Sequence, residues 1–351
     1  MRFIAVGISH KTCPIALREK FYLDPGEREL FLSELRQEER VAEALVMSTC
    51  NRTEVYALVS GLDPLCLIRR LCLLKNITLN KQLEKSFYVY TDEKALRHLF
   101  SVACGLDSLI IGEKEILGQV KAAIALARKK GMTGRFMNIL TNLALCTAKK
   151  VRHETKISVG GGSVSWAAVR RAEEFLGGLR GKSVMILGAG KMSHLAAGDF
   201  RRKGVAELFV VNRTREKGED LARQFDAQAV SFLDIKEVLR KVDVCICSAS
   251  APHYLIELAL VEKVMAQRRT PLLMIDISMP RNIHPAIAGL EGVTLIGLDE
   301  LDKTVLANIG QRLEAVYDAQ KIITQKLEDF TRKLNRSSAL PSTKAESYVA
   351  D

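Results

Sequence analysis

The run Lys182-Ser183-Val184-Met185-Ile186-Leu187-Gly188-Ala189-Gly190-Lys191-Met192-Ser193 constrains the fold of this chain more than any other segment. Val184 to Leu187 are apolar in succession rather than in alternation, the pattern of a strand covered on both faces. The chain then turns on two glycines straight into a helical pattern. Four more apolar strands follow at Glu207 to Val211, Val242 to Cys247, Leu272 to Ile275 and Thr294 to Ile296, separated by helical stretches. Apolar strands alternating with helices predict a parallel sheet with helices on both sides, here a Rossmann-type domain over residues 156–297 of an α/β multidomain chain.

The same glycine turn carries chemistry. Gly188, Ala189 and Gly190 bring bare backbone to a helix start, where free amides and the positive end of the helix dipole hold a pyrophosphate. The turn runs on through Lys191 and Met192 to Ser193, which stands where the usual fingerprint has its third glycine. At the end of the next strand an NAD site usually places an acid for the ribose 2′-hydroxyl. This chain has Asn212, Arg213 and Thr214 there, with a guanidinium suited to a 2′-phosphate. The expected cofactor is NADPH.

Residues 1–155 read differently. A strand at Phe3 to Ile8, a helix from Pro25 to about Arg40, paired strand segments near Ala44 to Met47 and Glu54 to Val59, a helix from Asp63 to Lys75 and a strand at Phe87 to Tyr90 come first. Three helical stretches follow, Asp92 to Cys104, Glu113 to Lys130 and Thr133 to Arg152, with Asp92 and Thr133 as expected N-caps. Together they describe a small α/β sandwich-type domain with an appended helical pair. The glycine-rich run 158–163 marks a boundary. Beyond Gly297 a helical pattern carries Ile309, Leu313, Val316, Ile323, Leu327, Phe330 and Leu334 on alternating 3 and 4 spacings, broken only at Gln320. Within 298–335, a single helix from near Asp299 to about Leu334 would be about 54 Å long, and its seam is that of a dimerisation helix. The polar residues 336–351 are expected to form a disordered tail.

Charge and cysteine usage narrow the setting. With 52 Lys and Arg against 41 Asp and Glu the net charge is +11, which favours a polyanionic partner such as nucleic acid. No apolar stretch reaches the roughly 18 residues of a membrane span, and the first residues enter a strand at once. The expectation is a cytoplasmic protein with no leader and no membrane partner. Eight cysteines without a C-x-x-C pair fit reduced thiols better than disulfides or zinc.

Cys50 stands apart from the other seven, in the polar loop Ser48-Thr49-Cys50-Asn51-Arg52-Thr53-Glu54 between two apolar strands. A thiol among hydroxyls, an amide and a cation can be held as thiolate and attack a carbonyl. The alternative is a polar turn in which Thr49, Asn51 and Thr53 cap backbone groups. A thiol nucleophile combined with NADPH describes reduction at the acyl level, through a thioester to an aldehyde.

Gly7-Ile8-Ser9-His10-Lys11-Thr12, the Ser48 to Tyr56 segment, Gly105-Leu106-Asp107-Ser108, Ile111-Gly112-Glu113, Ile116-Leu117-Gly118-Gln119-Val120-Lys121, Ser163-Val164-Ser165 and Asn212-Arg213-Thr214 follow one another along the chain. In order and spacing they resemble the glutamyl-tRNA reductase family from residue 1 to about residue 300. The resemblance implies NADPH-dependent reduction of glutamyl-tRNA to glutamate-1-semialdehyde with release of tRNA, the first step of five-carbon tetrapyrrole biosynthesis. It implies Cys50 as the nucleophile and Thr49, Asn51 and Arg52 as glutamyl-binding residues, Arg52 meeting the side-chain carboxylate. Ser108, Glu113 and Gln119 complete the implied pocket. His98 matches a family histidine implied to polarise the carbonyl or assist proton transfer, whereas its place in the sequence alone reads as a helix surface. His10 is a motif residue for which a structural hydrogen bond is the expectation.

Two departures from the family pattern matter. Glu115 stands where the family usually has Gln, so a charge in the pocket has to be paired, with Lys114 the expected partner. The family also usually continues into a longer helical dimerisation region, so a homodimer through the shortened C-terminal helix is expected. The resemblance implies glutamyl-tRNA as the substrate partner and the aminomutase that follows as a second. Two other readings predict different behaviour. A shikimate-dehydrogenase-like NADP oxidoreductase would be indifferent to Cys50 alkylation, and a non-catalytic tRNA-binding regulatory protein would bind tRNA without turnover.

Overall fold

The structure, a computed structural model of the chain, describes residues 1–155, 157, 163–301 and 313–338. In the first domain β1 (Arg2–Ser9), β2 (Val41–Ser48), β3 (Arg52–Val59) and β4 (Tyr88–Thr91) form an antiparallel sheet in the order β2-β3-β1-β4. Its helices are α1 (Ile15–Arg18), α2 (Pro25–Arg36), α3 (Leu65–Leu74), α4 (Lys81–Glu84), α5 (Glu93–Ala103), α6 (Glu115–Lys129) and α7 (Arg135–Glu154). β2 and β3 pair as the sequence predicts, and Ser48 opposite Thr53 closes the ladder just before the Thr49-Cys50-Asn51 turn.

Helix starts obey capping chemistry that sequence spacing only partly reveals. α2 opens on a capping box in which Asp24 and Glu27 satisfy each other's backbone amides, and it stops at Arg36 instead of running to Arg40. Asp92 sits at the N-cap of α5 but caps nothing, because its carboxylate accepts from the Phe3 amide of β1 at 3.3 Å. α7 begins after Gly134, not Thr133, and Glu43 of β2 accepts from the Phe136 and Met137 amides at 3.2 and 2.7 Å. A carboxylate from another element thus replaces a local cap.

The second domain is a six-stranded parallel sheet. β5 (Ser183–Leu187), β6 (Glu207–Val211), β7 (Gln228–Val230), β8 (Val244–Cys247), β9 (Leu272–Asp276) and β10 (Val293–Gly297) lie in the order β10-β9-β8-β5-β6-β7. α8 (Val164–Leu176), α9 (Lys191–Arg202), α10 (Arg215–Gln224), α11 (Ile235–Leu239) and α12 (Leu258–Met265) flank it, with Ser163 capping α8. The strand order reverses between β5 and β8, the switch point at which doubly wound sheets bind ligands. The sequence reading misses β7, a three-residue edge strand whose Gln228 and Ala229 are exposed and therefore give no apolar run.

The C-terminal helix α13 (Leu313–Ser338) corrects the expected seam. Ala319, Ile323, Leu327 and Phe330 are buried in the core of the first domain, against α5 and α7, with the Phe330 ring 5.9 Å from that of Phe136. The first domain is therefore discontinuous, built from residues 1–155 and α13, and the stripe read as a dimer interface is occupied within the chain. Residues 336–338 are helical instead of belonging to the tail. The continuity of one helix from 298, the boundary run 158–162 and the rest of the expected tail lie outside the described residues. Among the described residues no helix is long and apolar enough to cross a membrane.

Candidate active site

Strand alternation puts Arg52, Glu54 and Tyr56 of β3 on one face, and all three are fully buried. Glu54 is the hub. It accepts from Arg52 Nη1 at 2.8 Å, Tyr56 Oη at 2.6 Å and the Tyr88 hydroxyl, and lies 2.8 Å from His98 Nε2. Burial opposes its charge, but Arg52 and His98 beside it hold its carboxyl well below the usual range. Gly7 of β1 lies between β3 and β4, opposite both Glu54 and Tyr88. A Cβ there would sit 2.7 Å from Tyr88 Oη and 2.8 Å from Glu54 Cγ, so the hub forms only over a bare backbone.

Arg52 reaches on to Asp107, through Nη1 at 2.9 Å to a carboxylate oxygen and through Nη2 to the carbonyl, and Lys11 is a second partner of Asp107. His98 is not on a helix surface. It shares the α5 face of Ala95, Leu99 and Val102, at the spacing of an apolar stripe, and its ring lies 5.0 Å from Tyr90 and 5.2 Å from Tyr88. That spacing was the signal available in the sequence. Its Nε2 is engaged by Glu54, which in turn holds Arg52.

In the turn itself Thr49 Oγ1 accepts from the Asn51 amide at 3.1 Å, and the Asn51 carbonyl accepts from the His10 amide at 2.9 Å. Thr49, Asn51 and Ser108 are buried. His10 Nδ1 and Asn51 Oδ1 are buried with no hydrogen-bond partner among the described residues. Both atoms therefore keep bonding capacity free for a ligand or a water. Burial, aided by the Arg52 cation, pushes the His10 imidazole down to about 4, so it is neutral.

Cys50 is half-buried, and the expected depression of its thiol pKa is reversed. Burial pushes it up to about 12, the Glu113 carboxylate adds to that, and the Arg18 and Arg52 cations only moderate it. Arg52 has little charge to offer because two carboxylates already neutralise it. Glu113 is itself buried and raised to about 7, first by burial and then by the neighbouring Glu115 charge. Glu115 pairs with Lys191 of the second domain at 3.5 Å, while Lys114 is exposed, so the expected Lys114 pairing is corrected. Gln119 lies half-buried on α6.

The second domain holds a cleft of about 420 Å³ at the switch point, lined by Gly188, Ala189, Gly190, Asn212, Arg213 and Thr214 together with Lys217 and Ser248 to Ala251. Gly188 has φ +115°, and a Cβ there would meet the Ser248 carbonyl at 3.0 Å. Among the described residues nothing beyond its chain neighbours and its own helix lies within 4 Å of the Cβ position of Gly190. The bare turn and the adjoining Arg213 and Lys217 cations fit a dinucleotide phosphate. Lys191, Met192 and Ser193 do not line the cleft. Ser193 is fully buried and bonds Ser248 Oγ at 2.6 Å, and the Met192 carbonyl accepts from Ser165 at 2.9 Å, so both brace the turn from behind.

The domains meet beside Cys50. Cys50, Ile15 and Tyr22 pack against the apolar cluster of the second domain that includes Ile277, Met279, Leu298 and Leu301, and Ile110 is buried within it. Arg281 and Asp299 of the second domain pair with Glu19 and Arg18 of the first. Neither pair was legible in advance, since Arg18 and Glu19 lie outside every motif the sequence reading singled out.

Residues 6–155 match the model of the N-terminal domain of glutamyl-tRNA(Glu) reductase, and residues 170–304 match that of shikimate / quinate 5-dehydrogenase. Glutamyl-tRNA reductases of Thermodesulfovibrio yellowstonii and Bacillus pumilus are 38% and 37% identical over 97% of this chain, covering 82% and 75% of their own lengths. The solved glutamyl-tRNA reductase from Methanopyrus kandleri is 31% identical, with a TM-score of 0.51 over 95% of this chain and 80% of that one.

Proposed function

The chain belongs to the glutamyl-tRNA reductase family, and from that premise we infer how its two domains divide the reaction. It reduces glutamyl-tRNA to glutamate-1-semialdehyde and releases the tRNA, which opens the five-carbon route to tetrapyrroles and haem. The dehydrogenase likeness covers only the dinucleotide-binding half, so it describes a part of the fold and not a rival activity.

Cys50 Sγ attacks the ester carbonyl carbon. The C–S bond forms, the bond to the ribose oxygen breaks, and the thiol proton passes to that oxygen. A thiol held near 12 needs a base, and Glu113, near 7 and pressing on the thiol, takes its proton and returns it to the leaving oxygen. Arg52 receives the substrate side-chain carboxylate. Asp107 has Lys11 as a second partner, so a substrate carboxylate can take its place on Arg52 without leaving a charge unpaired. Asn51 Oδ1 accepts from the substrate ammonium, and Thr49 holds the turn. Ser108 and Gln119 flank the acyl chain, and His98 keeps Glu54 and Arg52 in place. Packing of Cys50 against the second domain keeps water from the thioester.

The second domain binds a nicotinamide dinucleotide. Arg213 and Lys217 favour NADPH, with Gly188 to Gly190 on its pyrophosphate and Asn212 and Thr214 beside the ribose. A bound reduced nicotinamide supplies the hydride that takes the acyl group to the aldehyde. The aldehyde is reactive in water, so direct hand-over to the aminomutase that consumes it belongs to this reading, as does a cytoplasmic setting suited to eight free cysteines. A homodimer through α13 would use its outer face, where Tyr317 is exposed, because the inner stripe is taken.

The observation that carries the reading is Cys50 in a polar turn at the domain seam, with Glu113 buried nearby. Anaerobic incubation with glutamyl-tRNA and NADPH, following aldehyde formation, tests it. Cys50→Ser is expected to lose about a thousandfold or more of the wild-type rate. Aldehyde made by the variant at a comparable rate would sink the thioester mechanism.

A further inference from the structure

Arg18 is the last residue of α1, and its side chain is almost fully buried. Its guanidinium serves three separate segments. Nε donates to the Cys50 carbonyl at 3.1 Å, Nη1 to the Cys13 carbonyl at 3.2 Å and Nη2 to Asp299 Oδ1 at 2.9 Å. The other Asp299 oxygen accepts from the Ile15 amide at 2.9 Å, so one carboxylate of the second domain grips both ends of α1. The next residue repeats the pattern, since Glu19 pairs with Arg281 at 2.6 and 3.0 Å. Asp299 follows β10 and Arg281 follows β9, so both anchors stand beyond the carboxyl ends of neighbouring parallel strands, the edge at which such sheets bind ligands.

We propose that Arg18 is a positioning residue, tying the Cys50 turn to the dinucleotide-binding domain through Asp299 so that the acylated thiol is presented to the second domain only when that tie is made. The inference rests on the reading of Cys50 as the acylated nucleophile. A planar fork is required because a lysine offers a point charge and cannot hold three acceptors in fixed directions. Desolvating a guanidinium is costly, and an apolar residue of similar volume would fill the space at less expense, so packing alone does not account for Arg18. The hydride step that depends on the tie balances without further reagents. Hydride from the reduced nicotinamide adds to the thioester carbonyl carbon, the C–S bond breaks, the thiolate takes up a proton, and aldehyde and oxidised nicotinamide remain. The Arg18 cation also bears on the thiol before acylation, since it is among the charges that draw the Cys50 pKa down against burial.

The test separates acylation from reduction in the full chain. Transfer of labelled glutamate from glutamyl-tRNA to protein is measured without nucleotide, NADPH oxidation is measured with it, and the pH profile of Cys50 alkylation by iodoacetamide is read by peptide mass spectrometry. Asp299→Asn keeps the shape of the side chain and removes its charge. It is expected to retain protein acylation within about threefold while NADPH oxidation falls about tenfold or more, a misplacement effect. Arg18→Gln is expected to move the alkylation profile to higher pH, and Arg18→Lys to restore that profile but not the reduction rate. Equal losses of acylation and reduction in Asp299→Asn, or an alkylation profile unmoved in Arg18→Gln, would overturn the proposal. Cys50→Ser run alongside distinguishes the two failures, because reduction by that variant sinks the thioester reading itself.

Discussion

A carboxyl that ordinarily ionises near 4.5 and is held near 7 by burial, as in Glu113, opposes folding once it must carry charge. The folded form binds the proton more tightly than the unfolded form, so stability is lost as pH rises from about 4.5 to 7 and stays lost above. A shift of this size corresponds to about 3 kcal/mol. Glu113→Gln is therefore expected to raise the unfolding midpoint at pH 8 and to leave it nearly unchanged at pH 4.5, while glutamyl transfer slows. Chemical denaturation at the two pH values measures it, and an equal change at both would remove the electrostatic cause. Reading residues one at a time singles out the Thr49 to Arg52 loop, as polar side chains between two apolar strands, and the structure shows one of them, Thr49, capping the Asn51 amide. That reading did not recover the charge state of Cys50, which depends on Glu113, Asp107 and Arg18 arriving from distant segments.

At the scale of elements, β1 works by what it lacks. Gly7 leaves the gap in which Tyr88 and Glu54 meet, and Gly7→Ala would force Tyr88 off the hub. A loss of about 1–3 kcal/mol is expected from overpacking, together with a fall in activity of about tenfold as Arg52 loses its fixed partner. Thermal unfolding and aldehyde formation, measured together, check both, and a variant with wild-type stability would show that β4 can yield. Strands and most helices were legible because their apolar periodicity is local. The caps were less so. Asp92 and Thr133 have the right chemistry in the right places, yet β1 captures Asp92 and Glu43 of β2 supplies what Thr133 does not. Such substitutions are made by tertiary neighbours, which no window of sequence contains.

For the molecule as a whole, the change in strand pattern marks where an antiparallel half gives way to a parallel, dinucleotide-binding type of sheet, as the two sheets of the structure do. The route of the chain could not be read in this way, because a heptad-like stripe gives the spacing of an interface and not the identity of the surface opposite. Here that surface is α5 and α7. Phe330→Ala is expected to destabilise the first domain by about 3–5 kcal/mol while leaving the mass in solution unaltered, with calorimetry and light scattering as the measurements. A change in mass without loss of stability would return the stripe to an intermolecular role. The return of α13 also sets an order in time during synthesis. The parallel sheet can be completed once Gly297 has emerged from the ribosome, whereas the domain that began first still waits for residues 313–338. A nascent chain thus owns a finished dinucleotide half before its thiol-bearing half has closed, and a ribosome that stops one helix early releases a protein whose newest missing segment belongs to its oldest part.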